Sequence, residues 1–295
     1  MLITLHVRGQ QDPMYSQYMF NIQSFNPAYT GSWEATGITL LSRMQWMGFE
    51  NNPETQTLTF QVPFANRKIG AGFSLMNETI GLQSRKALFL DYAFGIRVNA
   101  QTMFRLGITG GATNFRNDLA TLQTIDPDDP AFADGTVNRW LPNVGVGFFL
   151  HSNRFYAGLS APKLLDNESG NYANTFALNN FTIIGGGVLS LTKGIDMKPS
   201  ISIRYKNDEP LIADLNLNFL IADIFWIGGM MRTSDEIKFG LDASILIGKM
   251  MRIGYAYDFM SYAGLNSYSG ATHEVMVSFE FHPREKYRFV SPRYF

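Results

Sequence analysis

The chain contains no cysteine, which excludes disulfides, thiol nucleophiles and cysteine-ligated zinc or iron–sulfur sites. Charge is scarce as well. Only 17% of the 295 residues are Asp, Glu, Lys or Arg, against roughly 25% in an average soluble domain. The 24 cationic and 25 acidic side chains nearly cancel, at −1, so there is no basic field to attract nucleic acid and no acidic tail. Long apolar runs are missing too: a spanning helix needs about 18 consecutive apolar residues. The nearest stretch, Phe219 to Met231, is interrupted by Asp223 and as a helix would cover about 20 Å of a roughly 30 Å hydrocarbon core. What is abundant is glycine, at 27 residues, and aromatic side chains, at 14%. That balance excludes both disorder and collagen.

From Gly37 onward the hydrophobic pattern has period two, which means strands. In Arg252-Ile253-Gly254-Tyr255-Ala256-Tyr257-Asp258-Phe259 the large apolar residues hold every odd position and small or charged residues every even one. The same alternation runs through Ala213–Phe219, Lys238–Ala243, Ser200–Lys206 and Glu274–Phe281. One face of each strand is apolar; the other carries Asp, Arg, Lys, Asn, Ser and Gly. A soluble sandwich shows the same alternation with its apolar face toward a core, so the choice between the two falls to the loops.

About fourteen runs are predicted: 37–48, 55–64, 68–77, 85–98, 102–114, 141–151, 154–161, 176–192, 195–206, 210–222, 224–233, 236–247, 250–260 and 272–282. Connections after the even runs are tight, as in Ser152-Asn153, Lys193-Gly194 and Gly248-Lys249, whereas those after odd runs are mostly longer, as in Arg116–Trp140 and Ser261–Ala271. Alternating short turns and long loops are what a membrane-spanning up-and-down barrel needs. About ten tilted residues cross its apolar band, and lipid cannot satisfy an open sheet edge, so closure follows. The expected fold is all-β: a closed transmembrane up-and-down antiparallel β-barrel of about 14 strands. Prolines 53, 63, 142, 162, 199 and 210 are expected at strand ends or in loops. Trp46, Trp140, Tyr156, Trp226, Tyr255 and Tyr257 are candidates for interfacial girdles.

No catalytic pattern survives inspection. His273-Glu274 begins like a zinc protease helix, but the second histidine would stand at Val277, in a segment that alternates as a strand. Gly158-Leu159-Ser160-Ala161-Pro162 resembles a nucleophile elbow until Pro162 replaces the required glycine. Four dispersed histidines give no metal set, and the loop Asp126–Pro130 is a solvated external loop without EF-hand spacing. No catalytic residue, cofactor or metal is therefore assigned. The remaining constellation is charged and faces inward: Arg43, Asp91, Arg97, Arg105, Arg204, Asp214, Arg232, Asp242, Arg252, Asp258 and Glu274. Both signs occur, so pairing across strands to fill the lumen is the leading reading, with a solute path as the other.

The segment Gln10-Gln11-Asp12-Pro13-Met14-Tyr15-Ser16-Gln17-Tyr18-Met19-Phe20-Asn21, followed by Asn26-Pro27-Ala28-Tyr29-Thr30-Gly31, closely resembles the mature N-terminus of the PorP/SprF family. Supporting resemblance lies in Asp223–Gly228, Arg252–Asp258 and Gly270–Phe279. The resemblance implies a non-enzymatic protein of the cell outer membrane, in the type IX secretion and gliding machinery of Bacteroidota. Its implied partners are outer-membrane lipid, other secretion components including periplasmic rings, and a secreted surface adhesin. It divides the chain into a signal-peptide remnant at 1–9, an irregular N-terminal segment at 10–34, a barrel at 35–282 and a tail at 283–295. The N-terminal segment is expected to plug the lumen or bind a partner, with Tyr15, Tyr18, Phe20, Phe25 and Tyr29 as candidate contacts, because aromatics give large contact area at low entropic cost. A porin or hydrophobic-solute channel is the alternative function.

Overall fold

The computed structural model describes residues 14–33, 35–48, 50–64, 68–118, 136–166, 175–176, 179–207, 209–234, 237–248, 250–259 and 270–281. The expected signal-peptide remnant, the aspartate-rich loop around 126–130 and the C-terminal tail lie outside the described residues. Seventeen strands follow in order: β1 (Thr36–Met44), β2 (Glu54–Phe64), β3 (Ile69–Ile80), β4 (Gln83–Arg97), β5 (Thr102–Asp118), β6 (Thr136–Ser152), β7 (Phe155–Ala161), β8 (Leu165–Asp166), β9 (Thr175–Phe176), β10 (Asn180–Gly187), β11 (Leu189–Thr192), β12 (Ile195–Lys206), β13 (Ile212–Ile221), β14 (Phe225–Thr233), β15 (Ile237–Ile247), β16 (Met251–Asp258) and β17 (Thr272–Phe281).

Every barrel strand pairs antiparallel with its neighbours in chain order. Pairing of β1 with β17 joins the two ends of the barrel sequence, and pairing of β10 with β12 completes the circuit. Strands β10 and β11 are two pieces of one position, so the barrel is closed with 14 strands. The small β8–β9 pair is a separate two-stranded sheet, tied to β6 through Asn143, which bonds the Leu165 backbone.

The expected run 176–192 is thus broken, and the break has a cause. Pairing of β10 with β12 stops at Gly186↔Ser200, and pairing of β11 with β12 starts at Leu189↔Met197. Pro199 lies opposite that gap, where a residue without an N–H leaves no ladder bond unmade. Val188 instead donates its N–H to the Arg154 carbonyl at 2.7 Å. Pro199 and Pro142 therefore sit within strands and not at their ends; Pro142 stands in the part of β6 that runs past β7, where β5 is its ladder partner.

The connection expected over 78–84 is also shorter than the pattern implied. Strands β3 and β4 continue to a two-residue turn, Gly81-Leu82, with Ile80 paired to Gln83. Gly81 has φ +58°, a left-handed conformation that glycine adopts without steric cost.

Side-chain placement is inverted relative to a soluble protein. On β13, Leu215 and Leu217 point outward and are exposed, while Asp214, Asn216 and Asn218 point inward and are buried. Thr55, Thr57, Thr59 and Gln61 line the inner face of β2 in the same way. The outer belt of Leu, Ile, Phe and Val suits hydrocarbon, as the wall of a membrane-spanning barrel must. Trp46, Trp140 and Tyr255 are exposed on the outer side. Two expected girdle residues go the other way: Tyr156 and Trp226 are buried in the lumen, and their neighbours Phe155 and Phe225 take the outer face. The physical reason is parity, since adjacent strand residues face opposite sides of the wall.

This placement predicts a depth-dependent charge penalty. Leu90, mid-way along β4 and 62% exposed, replaced by Arg should cost about 2–4 kcal/mol of folding stability in bilayers, while Val98→Arg just past the end of β4 should cost about 0–1 kcal/mol. Urea titrations of the barrel refolded into vesicles, read by heat-modifiable gel mobility, would check the contrast.

Candidate functional site

The lumen is occupied by the chain's own N-terminal segment. Residues 14–33 cross it as three short 3-10 turns at Tyr18–Phe20, Ile22–Ser24 and Pro27–Tyr29. The third is set by local sequence: Asn26 Oδ1 accepts the Ala28 N–H at 3.0 Å, and Pro27 occupies the first helical position, where its missing N–H matters least. An irregular backbone leaves many polar groups needing partners, and inward side chains of the wall supply them.

The tightest anchorage joins three adjacent strands. Arg43 of β1 bonds Asp258 of β16 at 2.6 Å and Glu274 of β17 at 3.0 Å. The β1–β17 register places Arg43 directly opposite Glu274. One guanidinium faces two carboxylates, and the segment contributes the missing donors. The Ser16 N–H donates to Glu274 at 2.8 Å, the Gln17 N–H to the other Glu274 oxygen at 2.9 Å, and the Ser16 hydroxyl to Asp258 at 2.7 Å. Arg43 in turn donates to the Ser16 hydroxyl oxygen at 2.8 Å. A buried ion pair is stabilising only when its remaining lone pairs and protons are satisfied; here the segment supplies donors to both carboxylates, while Arg43 Nε has no hydrogen-bond partner among the described residues.

A second anchor is centred on a carboxylate of the wall. Asp214 of β13 is flanked by Arg232, its cross-strand partner on β14, and by Arg204 of β12 at 3.1 Å. Arg232 also donates to the Tyr15 carbonyl at 3.1 Å. Lower in the lumen, Gln23 donates to Asp91 and to the Phe60 carbonyl, each at 2.9 Å. Arg105 donates to the carbonyls of Ala28 at 3.2 Å and Thr30 at 2.7 Å. Asp242 accepts from Asn218 at 2.6 Å, and Arg252 stacks 4.3 Å from the centre of the Phe20 ring. Of the eleven charges expected in the lumen, these ten come together around the segment. Arg97 does not: it ends β4 and is exposed at the rim of short turns.

The wall also yields space. An added Cβ at Gly70 would lie 2.0 Å from the Thr30 carbonyl oxygen, and one at Gly107 would lie 2.2 Å from the Ala28 nitrogen. Glycine at these two positions lets the backbones of segment and wall meet.

The five candidate aromatic contacts take part in this packing. Tyr15, Tyr18, Phe20 and Tyr29 are buried and Phe25 is half-buried. Tyr15 bonds Thr57 through its hydroxyl, Phe20 meets Trp226 edge-on at 5.7 Å, and Tyr29 meets Phe149 at 5.2 Å while accepting from Trp33 Nε1 at 2.6 Å. Four of the five rings pack against the barrel interior, in line with the lumen-plugging half of the expectation, and Phe25 stays half-buried. Burial raises the pKa of Tyr15, Tyr18 and Tyr29 well above the usual phenol range, so all three stay neutral.

Two interior groups escaped the sequence reading. Lys198 is fully buried, with Nζ 4.7 Å from the centre of the Phe20 ring that Arg252 also approaches. Its signal was parity, two and six residues before inward Ser200 and Arg204. The ion pair between Glu78 and Arg85, at 2.7 Å, was hidden by the early end assigned to β3. Among the described residues no cluster of three or more His, Asp or Glu side chains is arranged to hold a metal ion.

Removing one member of the first anchor leaves buried charge unpaired. Arg43→Met should cost about 3–5 kcal/mol, and adding Glu274→Gln should recover part of that loss. Unfolding midpoints of the three proteins in the same bilayer would measure it.

A family model described as the type IX secretion system membrane protein PorP/SprF matches residues 7–279. No curated protein sequence matches the chain. Among solved structures, outer membrane protein Omp33 of Acinetobacter baumannii is similar with a TM-score of 0.51 at 8% identity, covering 85% of this chain and 100% of that one. The CymD monoaromatic hydrocarbon channel gives 0.50 at 10% identity, covering 92% and 94%. At such identities the likeness speaks for the fold, an outer-membrane barrel. The family match spans nearly the whole length, including the segment in the lumen and the strands that anchor it, and the chain therefore belongs to the PorP/SprF family of type IX secretion system membrane proteins.

Proposed function

We propose that the protein is a non-enzymatic platform of the type IX secretion machinery, which supports export or surface anchoring of a partner adhesin, or links to periplasmic ring components, through contacts at its rims. The observation that carries this reading is the seating of residues 14–33: the lumen charges are bonded to the segment and to one another, and glycines in the wall are shaped to its backbone. A lumen committed in this way serves rigidity. An aqueous path would instead leave its charges hydrated and free to meet solutes. Family membership supports association with other secretion components, and lipid takes up the outer belt.

Conductance separates this function from the alternative of a porin or hydrophobic-solute channel. The purified wild-type protein in a planar bilayer is expected to show no steady open-channel current, and a stable open pore would favour transport. Gly107→Val, which places a side chain where Ala28 sits, should unseat the segment. Surface display of the partner adhesin, read by antibody labelling of whole cells, should then fall while barrel abundance in the outer membrane holds. Unchanged display with a displaced segment would remove the basis for the proposal.

A further inference from the structure

Antiparallel register sets the outward residues of β1 to β6 in rows that run around the wall. One row is Leu40, Leu58, Leu75 and Leu88, continued by Ala112 and Pro142. The next row toward the long-loop rim is Ser42, Gln56, Asn77, Lys86, Asn114 and Trp140. The rows are about 7 Å apart, two residues at about 3.4 Å each, so the outer face turns from leucine to polar side chains in one step. That step marks the edge of the apolar band on the side of the long loops, which in an outer-membrane barrel is the outer-leaflet side.

The wall is hollowed at this step. A depression of about 350 Å³ is lined by the four leucines, by Gln56, Asn77, Lys86 and Trp140 of the polar row, and by Thr57, Met76 and Ala87. Among these residues Lys86 alone is charged. It is exposed, and it makes no ion pair or hydrogen bond among the described residues. Two acids share the outward face of β2 to β5: Glu54 stands one row higher and two strands away, and Asp118 is engaged by Arg116 at 2.8 Å. A lysine has three donors and no acceptor. Gln56 accepts from Asn77 Nδ2 at 3.2 Å and so keeps its own NH2 group for a further acceptor. Surplus donors beside a leucine floor fit an anion that carries an apolar tail. Lysine is a common phosphate binder, and tryptophan is favoured at the level of lipid headgroups, where Trp140 is 69% exposed.

We propose that this hollow binds a phosphorylated lipid of the outer leaflet, its acyl chain on the leucine row, its phosphate on Lys86 and Gln56, and its headgroup beside the Trp140 ring. The site goes beyond the rim contacts of the proposed platform and does not depend on them. Occupancy would fix the depth of β2 to β4 in the bilayer and leave the lumen as it is.

The test uses the full chain with Trp46→Phe, in which Trp140 is the exposed tryptophan, since Trp33 and Trp226 are buried. The protein in phosphatidylcholine vesicles is titrated with phosphatidate bearing brominated acyl chains and, as the uncharged control, with the matching brominated diacylglycerol. Bromine quenches a tryptophan that its chain touches. Phosphatidate is expected to quench at about fivefold lower mole fraction, the factor that one lysine near an anionic headgroup carries. Lys86→Gln should abolish that preference and leave the diacylglycerol curve unchanged, while Lys193→Gln, at the rim of short turns, should retain it. Both lysines are exposed, so heat-modifiable mobility should show intact barrels. Glycerol 3-phosphate in the buffer should leave the quenching as it is. Equal quenching by the two lipids, a preference that survives Lys86→Gln, its loss in Lys193→Gln, or relief of quenching by glycerol 3-phosphate would each overturn the proposal.

Discussion

Hydrocarbon offers no hydrogen bonds, and that single property of the solvent organises this molecule. Every backbone N–H and C=O at membrane depth must be satisfied by another strand, so the sheet closes, through β1 with β17 at one junction and β10 with β12 at another. Closure then fixes which face each residue takes. Side chains at odd positions of β13 face lipid, and Asp214, Asn216 and Asn218 at even positions meet Arg204 and Arg232, the Ser16 carbonyl and Asp242. The burial that stabilises a soluble domain is therefore turned inside out, and the interior becomes a polar problem to be solved by pairing.

The solution is distributed unevenly by charge. Around Arg43 the wall holds two carboxylates against one cation, and the backbone N–H groups of Ser16 and Gln17 make up the deficit. Around Asp214 the wall places Arg204 and Arg232, and Arg232 also donates to the Tyr15 carbonyl. Donors of the segment thus face the acidic anchor and an acceptor faces Arg232 of the second, within three consecutive residues. Sliding the segment by one position would take the Ser16 hydroxyl away from Asp258 and Arg43. Its register in the lumen is specified electrostatically, much as turn chemistry specifies the register of a hairpin.

Much of this was legible beforehand, because period two is a direct consequence of a wall with unlike faces. The strand runs, the long and short rims and ten of the eleven inward charges follow from it. What was not legible depended on three dimensions. Tyr156 and Trp226 looked like girdle residues by type, yet parity relative to Phe155 and Phe225 put them inside. Glu78 fell in the expected connection 78–84 and Arg85 opened the next run, since Gly81-Leu82 is too short a turn to interrupt the polar pattern visibly. Pro199 concealed the face on which Lys198 stands, and only the gap opposite at Val188 explains why a proline is tolerated there. The segment shows no periodicity at all, so its place in the lumen came from resemblance and its contacts from the structure. Arg97 has the right parity and the wrong height.

The order in which these contacts can form follows from their spacing along the chain. Asn21 meets Thr59 across 38 residues and Gln23 meets Asp91 across 68, whereas Ser16 meets Asp258 across 242 and Glu274 across 258. Loop closure is paid before long-range contacts repay it, so the early strands can seat the middle of the segment while its upstream end still waits for β16 and β17. The acidic anchor needs the closing strand to exist, because Glu274 stands on β17 and its cross-strand neighbour Arg43 stands on β1. Ser16 and Gln17 are therefore secured by the same event that joins the two ends of the sheet. Sealing the wall and fixing the segment are one cooperative step, and each stabilises the other.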